Sequence, residues 1–90
     1  MRRVVWTKAA QEDLKRIRTY IGQFRPLAAQ RFAALLVASA NGLNEMPERG
    51  RSVRAGQREL VVTPPYLIRY RFDDEAVFIV RIRHGARRPD

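Results

Sequence analysis

The sequence has no cysteine, which excludes a disulfide framework, a cysteine-based zinc site and thiol catalysis. Histidine occurs once, at His84, so imidazole acid–base work near neutral pH has a single candidate. Long apolar runs are missing as well. Met1-Arg2-Arg3-Val4-Val5-Trp6 is basic and then briefly apolar, but acidic residues arrive by Glu12, so neither a signal peptide nor a membrane span is expected and the expected location is the cytoplasm. Repeats, low-complexity tracts and linkers are absent, and 90 residues supply apolar material for one core, so residues 1–90 are expected to form a single domain of modest stability.

Acidic residues are scarce, 9 against 18 basic ones, for a formal charge of +9. Apart from Lys8 and Lys15 every basic residue is arginine, whose planar fork suits carboxylates and phosphates. An acidic partner is expected. The sign of the charge does not choose between a nucleic acid and an acidic protein, and genomic base composition also enriches arginine. No cofactor and no metal site is indicated.

What is present is periodicity. Arg3 to Trp6 is a short apolar strand, and Thr7 offers an N-cap oxygen for a helix whose first turns carry Glu12 and Asp13, where the dipole favours negative charge. Ala10, Leu14, Ile17, Ile21 and Phe24 recur at helical spacing, with Glu12, Lys15, Arg16 and Thr19 opposite. Gln23 to Arg25 reads as a tight joint and Pro26 as the first position of a second helix, striped by Ala29, Phe32, Leu36, Ala40 and Leu43. Helices so joined pack as an antiparallel hairpin. Pro47 and Gly50 end the helical pattern, and Arg49 to Gly56 reads as a basic loop with a short extended piece at Ser52 to Arg54.

Beyond the loop the period becomes two. Arg58 to Thr63, Tyr66 to Phe72 and Ala76 to His84 read as strands of an antiparallel meander, parted by Pro64-Pro65 and by Asp73-Asp74-Glu75. Alternation places Tyr66, Ile68, Tyr70 and Phe72, with Phe78, Val80, Ile82 and His84, toward the helices. The other side then holds Leu67, Arg69, Arg71, Val77, Ile79, Arg81 and Arg83, half apolar and half arginine.

The resulting α+β order, a strand, a helix hairpin and a meander (β-α-α-β-β-β), resembles the RelE/ParE toxin fold, and particular segments carry the likeness. Val5-Trp6-Thr7-Lys8-Ala9-Ala10-Gln11-Glu12-Asp13-Leu14 resembles the family's opening, and Met46-Pro47-Glu48-Arg49-Gly50-Arg51 its proline-glycine-arginine loop. Arg58-Glu59-Leu60-Val61, Pro65-Tyr66-Leu67-Ile68-Arg69-Tyr70-Arg71 and Arg81-Ile82-Arg83-His84-Gly85-Ala86-Arg87-Arg88-Pro89 are similar to the second half of the ParE-like branch. The resemblance implies a type II toxin–antitoxin toxin, of the kind tied to plasmid stabilisation, held inactive in a hetero-oligomer with a ParD-like antitoxin. ParE-like members are associated with inhibition of DNA gyrase, by binding; RelE-like members cleave mRNA in the ribosome, as enzymes.

Metal-free RNA cleavage needs a base for the 2′-hydroxyl, cations for the phosphate and an acid for the leaving oxygen. RelE-like nucleases commonly carry an arginine directly after the tyrosine that opens the Tyr66–Phe72 strand and often a C-terminal tyrosine or histidine. Here Leu67 follows Tyr66 and no such residue follows Gly85. If the chain is nonetheless a nuclease, Glu59, Arg81, His84 and Arg87 are its candidate groups. The plainer readings are a packed His84 and a Glu59 paired with an arginine across the sheet. For a binding toxin, Arg69, Arg71, Arg81, Arg83, Arg87 and Arg88 are the candidate target contacts, against the plain reading of a solvated edge. The candidate antitoxin contacts are Leu67, Val77, Ile79, Arg69 and Arg81. Trp6 and Tyr20 are candidate interface anchors, with core packing the plainer reading for Trp6. A non-toxic nucleic-acid-binding accessory protein is the remaining alternative.

Overall fold

Thr7 turns the chain from strand to helix. In the computed structural model, which describes residues 2–85, β1 (Arg3–Trp6) ends at Thr7 and α1 (Lys8–Gly22) begins, its Ala10 N–H donating to the Thr7 hydroxyl at 3.1 Å. That bond satisfies one of the orphan donors of the first turn. Pro26 opens α2 (Pro26–Gly42) where its fixed φ suits the first helical position. Then follow β2 (Arg51–Ser52), β3 (Arg58–Thr63), β4 (Tyr66–Phe72) and β5 (Ala76–His84). The five strands form one sheet in the order β1-β5-β4-β3-β2, with β1 parallel to β5 and the other neighbours antiparallel.

The helices cover one side of this sheet. Phe32, Leu36 and Ala40 of α2, with Leu43 just beyond it, are buried in one cluster with Ile68 and Tyr70 of β4, and Ala29 is buried as well. Leu14, Ile17 and Ile21 of α1 pack on the same cluster, and so does Trp6, as expected of a core residue. One member of the α1 stripe departs. Phe24 lies past the helix end, where helical spacing no longer governs direction, and it is 70% exposed. It meets Tyr20, also exposed, edge to face with ring centroids 5.6 Å apart.

β5 departs from strict alternation in a way that reverses half of its faces. Arg69 pairs with Arg81 and Tyr70 with Ile79, so Val80 is an extra residue bulged out of the ladder. C-terminal to the bulge the expected sides hold, with Ile82 buried beneath the helices. N-terminal to it they exchange. Val77 and Ile79, expected on the outward side, are 0% exposed in the core. Phe78, expected inward, stands outward opposite Arg71. The shift is the difference between a strand of uniform period two and one carrying a single extra residue.

Tyr70 fastens the loop after α2 to the sheet. Its buried hydroxyl donates to the Pro47 carbonyl at 2.7 Å and accepts from the Gly50 N–H at 2.8 Å. Burial pushes the Tyr70 hydroxyl pKa above its ordinary value, so it stays a donor. Gly50 is required by close approach, because a Cβ there would lie 2.7 Å from both the Glu59 carbonyl oxygen and the Tyr70 hydroxyl. Arg58 adds a bond to the Gly50 carbonyl at 2.8 Å. Together they deliver Arg51 to the edge of β3. Tyr70→Phe orphans two buried backbone groups and is expected to lower the unfolding free energy by about 1–3 kcal/mol, measured by urea denaturation; an unchanged midpoint would show that the loop is held by other means.

Candidate docking face and arginine groove

The side of the sheet away from the helices is built in rows. One row runs Arg51, Glu59, Arg69 and Arg81 across β2, β3, β4 and β5. The next holds Val61, Leu67 and Arg83, and β4 and β5 add the pair Arg71 and Phe78. Arg71 is exposed and its guanidinium stands 4.3 Å over the centre of the Phe78 ring, a cation–π contact that covers apolar surface with charge.

Arg69 and Arg81 oppose each other on neighbouring strands, where like charges repel. Each is drawn off by a carboxylate on its far side. Arg69 sends both Nε (3.0 Å) and Nη2 (2.5 Å) to Oε2 of Glu59, while Arg51 Nη2 lies 3.5 Å from Oε1. Arg81 sends Nε to Oδ2 of Asp13 at 2.7 Å and Nη2 to Oδ1 at 3.1 Å. Along this row Glu59 stands between Arg51 and Arg69, and Asp13 takes Arg81 at the far end.

Asp13 reaches β5 because β1 stops short. The parallel ladder ends at Trp6 opposite Ile79, leaving the edge of β5 without a strand beyond that point. Thr7 covers the first step: its N–H donates to the Ile79 carbonyl at 3.1 Å, and its hydroxyl lies 2.9 and 3.0 Å from the Ile79 and Val80 carbonyls, shared between them. Asp13, farther along α1, covers the next by accepting the Ile82 N–H at 3.0 Å. Arg16 adds a contact at 3.2 Å. Burial pushes the Asp13 carboxyl pKa up, but the Arg81 guanidinium, the Ile82 N–H and Arg16 together outweigh burial and hold it below its ordinary value of 3.8.

A groove of about 160 Å³ opens at the other side of the face, lined by Arg51, Glu59, Leu67, Arg69, Arg83, His84 and Gly85. A hollow of about 420 Å³ adjoins it, sharing Arg51, Glu59 and Arg69 and adding Val53, Arg54, Ala55 and Gln57. His84 is half-buried and meets Tyr66 edge to face with centroids 5.2 Å apart, so it packs as its parity expects and still borders the groove. Of the nuclease candidates, Glu59 and His84 thus share a groove, whereas Arg81 is turned to Asp13. Arg87 lies outside the described residues, as does Arg88 among the target-contact candidates. Arg69, Arg71, Arg81 and Arg83 all hold outward register positions. Of the antitoxin candidates, Leu67 keeps its outward place, and Val77 and Ile79 lose theirs to the core. Sequence reasoning passed over Asp13, Arg51 and Phe78. Asp13 carried a signal, since it lies three residues after Ala10 and four before Ile17, on the buried stripe of α1.

Among the described residues no group of three His, Cys, Asp or Glu is placed to hold a metal ion, and no helix is long and apolar enough to cross a membrane.

A helix pair packed on one side of a sheet of this order, with arginines on the other, defines the RelE/ParE class of toxin folds. Residues 4–89 match the family described as "ParE toxin of type II toxin-antitoxin system, parDE", and the chain belongs to it. It is 61% identical to toxin RelE2 of Caulobacter vibrioides, over 97% of this chain and 99% of that protein. With toxin RelE1 of the same organism the identity is 38%, over 84% and 85%. A chain of the chromosomal ParDE system of P. aeruginosa superposes with a TM-score of 0.82 at 24% identity, spanning 93% of this chain and 96% of that one, a likeness of fold. A chain of the toxin–antitoxin complex RelBE2 from Mycobacterium tuberculosis gives 0.69 at 30% identity, spanning 96% and 93%. The protein is therefore a toxin of a type II toxin–antitoxin system.

The clamp at Asp13 has a signed pH dependence. Because its folded-state pKa is depressed, its stabilisation is present above 3.8 and is lost as pH falls through the lower folded value. Asp13→Asn is expected to cost about 1–3 kcal/mol at neutral pH, discounted for the partial exposure of both arginines. The difference from wild type should shrink as pH drops below 3.8, followed by urea unfolding in acid; a difference that stays constant in acid would place the stabilisation elsewhere.

Proposed function

We propose that this toxin arrests growth by docking on DNA gyrase or its DNA complex, and that a ParD-like antitoxin neutralises it in a hetero-oligomer. The observation that carries the reading is the state of Glu59. Among the described residues it is the only carboxylate lining the arginine groove, its side chain is 9% exposed, and two arginines already occupy its oxygens. Taking a proton from a ribose hydroxyl would mean giving up charge-assisted bonds worth about 1.5–3 kcal/mol each. A committed carboxylate suits a surface that recognises better than one that reacts. The outward residues suit recognition: Val61 is 59% exposed, and Leu67 and Phe78 lie among Arg71, Arg81 and Arg83 as a mixed apolar and guanidinium face.

The antitoxin reading draws on the solved relatives, which come from toxin–antitoxin systems. An extended segment with alternating acidic and apolar side chains matches Leu67, Arg71 and Phe78. Ribosome-dependent mRNA cleavage is the second reading, favoured by the groove that Glu59 and His84 share with Arg69 and Arg83.

Purified toxin is expected to inhibit supercoiling by gyrase, and its induction in cells to provoke filamentation and a DNA-damage response with mRNA left intact. Codon-linked mRNA cleavage with gyrase activity unaffected would establish the second reading in place of the first.

A further inference from the structure

We infer that Glu59 is a specificity-determining residue, an internal anion that fills the arginine site of the groove and keeps the phosphodiester backbone of single-stranded nucleic acid out of it. The inference rests on the proposed reading of the toxin as a protein-docking molecule, and it gives a chain of formal charge +9 a means of limiting capture by bulk nucleic acid at this groove.

The geometry is that of an occupied site. A guanidinium fork accepts a phosphate as readily as a carboxylate, and the two Arg69 donors that a phosphate would use both converge on Oε2 of Glu59. The second oxygen is turned to Arg51. Glu59 lies in the middle of three strands, with Arg51 opposite it on β2 and Arg69 opposite it on β4. Its backbone is therefore held on both sides and cannot carry the carboxylate out of the groove. A phosphate could enter only by displacing a side chain that is 9% exposed or by sitting beside its negative charge, and either is unfavourable in a partly desolvated site. Removing that charge while keeping the shape leaves a guanidinium fork, a second arginine and a groove of about 160 Å³, which is a phosphate site.

The test measures binding of a 5′-phosphorylated single-stranded oligonucleotide to the toxin alone, by fluorescence anisotropy across a salt series, with neither gyrase nor ribosome present. It is thereby read independently of the toxin's target. Glu59→Gln is expected to bind about tenfold more tightly than wild type, the gain of one charge-assisted contact, with a steeper salt dependence. Glu45→Gln, which removes one negative charge from the exposed turn after α2, should leave affinity near wild type. The double variant E59Q/R69Q should return to it. A Glu59→Gln affinity no greater than that of Glu45→Gln, or a gain that survives loss of Arg69, would overturn the inference. Should Glu59→Gln fail to fold, wild-type toxin titrated with pyrophosphate serves: the Arg69 Nε–H resonance is expected to stay in place, and its displacement would show the site open despite Glu59.

Discussion

The carboxylate of Asp13 is the joint between the two layers of the molecule. β1 runs beside β5 only as far as Ile79, and the strand edge beyond would present unpaired backbone to solvent or to another chain. Thr7 and Asp13 close that edge from the helix side, the first through carbonyls and the second through the Ile82 N–H. Burying a carboxylate is costly on its own. Here the Ile82 N–H, the two donors of Arg81 and one of Arg16 converge on it, so the group stays ionised and fixes how α1 lies along β5. The same contact draws Arg81 away from Arg69, which lets two arginines occupy facing positions on neighbouring strands.

That arrangement changes the meaning of the net charge. A formal +9 attracts acidic partners from a distance, within the reach allowed by salt. At contact range three of the described arginines of the face are committed: Arg69 to Glu59, Arg81 to Asp13, and Arg71 to the Phe78 ring. A surface of this kind discriminates by shape and by the placement of opposite charge, as protein interfaces do. It is also well matched to neutralisation by a partner segment that brings carboxylates to the arginines and apolar side chains to Leu67 and Val61.

Much of the fold was legible from period alone. The α2 stripe is buried as its spacing requires, because Ala29, Phe32, Leu36, Ala40 and Leu43 follow the helical repeat without interruption. β4 alternates cleanly for the same reason. Two readings failed where a period was carried past its limit. Helical spacing carries Phe24 past a helix that ends at Gly22, and strict alternation carries Val77 and Ile79 across a bulge at Val80. Nothing in a run of β-branched residues and arginines marks which one is extra; the register against β4 decides it, and that is a tertiary fact. The site was less legible than the fold. Glu59 pairs across the sheet as neighbouring charges suggest, but Arg51 reads as loop because a two-residue strand has too few positions to show alternation. Asp13 reads as a helix-dipole residue, although its spacing places it on the buried stripe.

The proposed docking of a protein target falls on the sheet face around Leu67, Arg71 and Phe78. Hydrogen–deuterium exchange of the toxin with and without its target tests it most directly. Gyrase is expected to slow exchange across β4 and β5 while 70S ribosomes leave those strands unchanged; protection of the same strands by ribosomes, with none conferred by gyrase, would overturn the proposed docking.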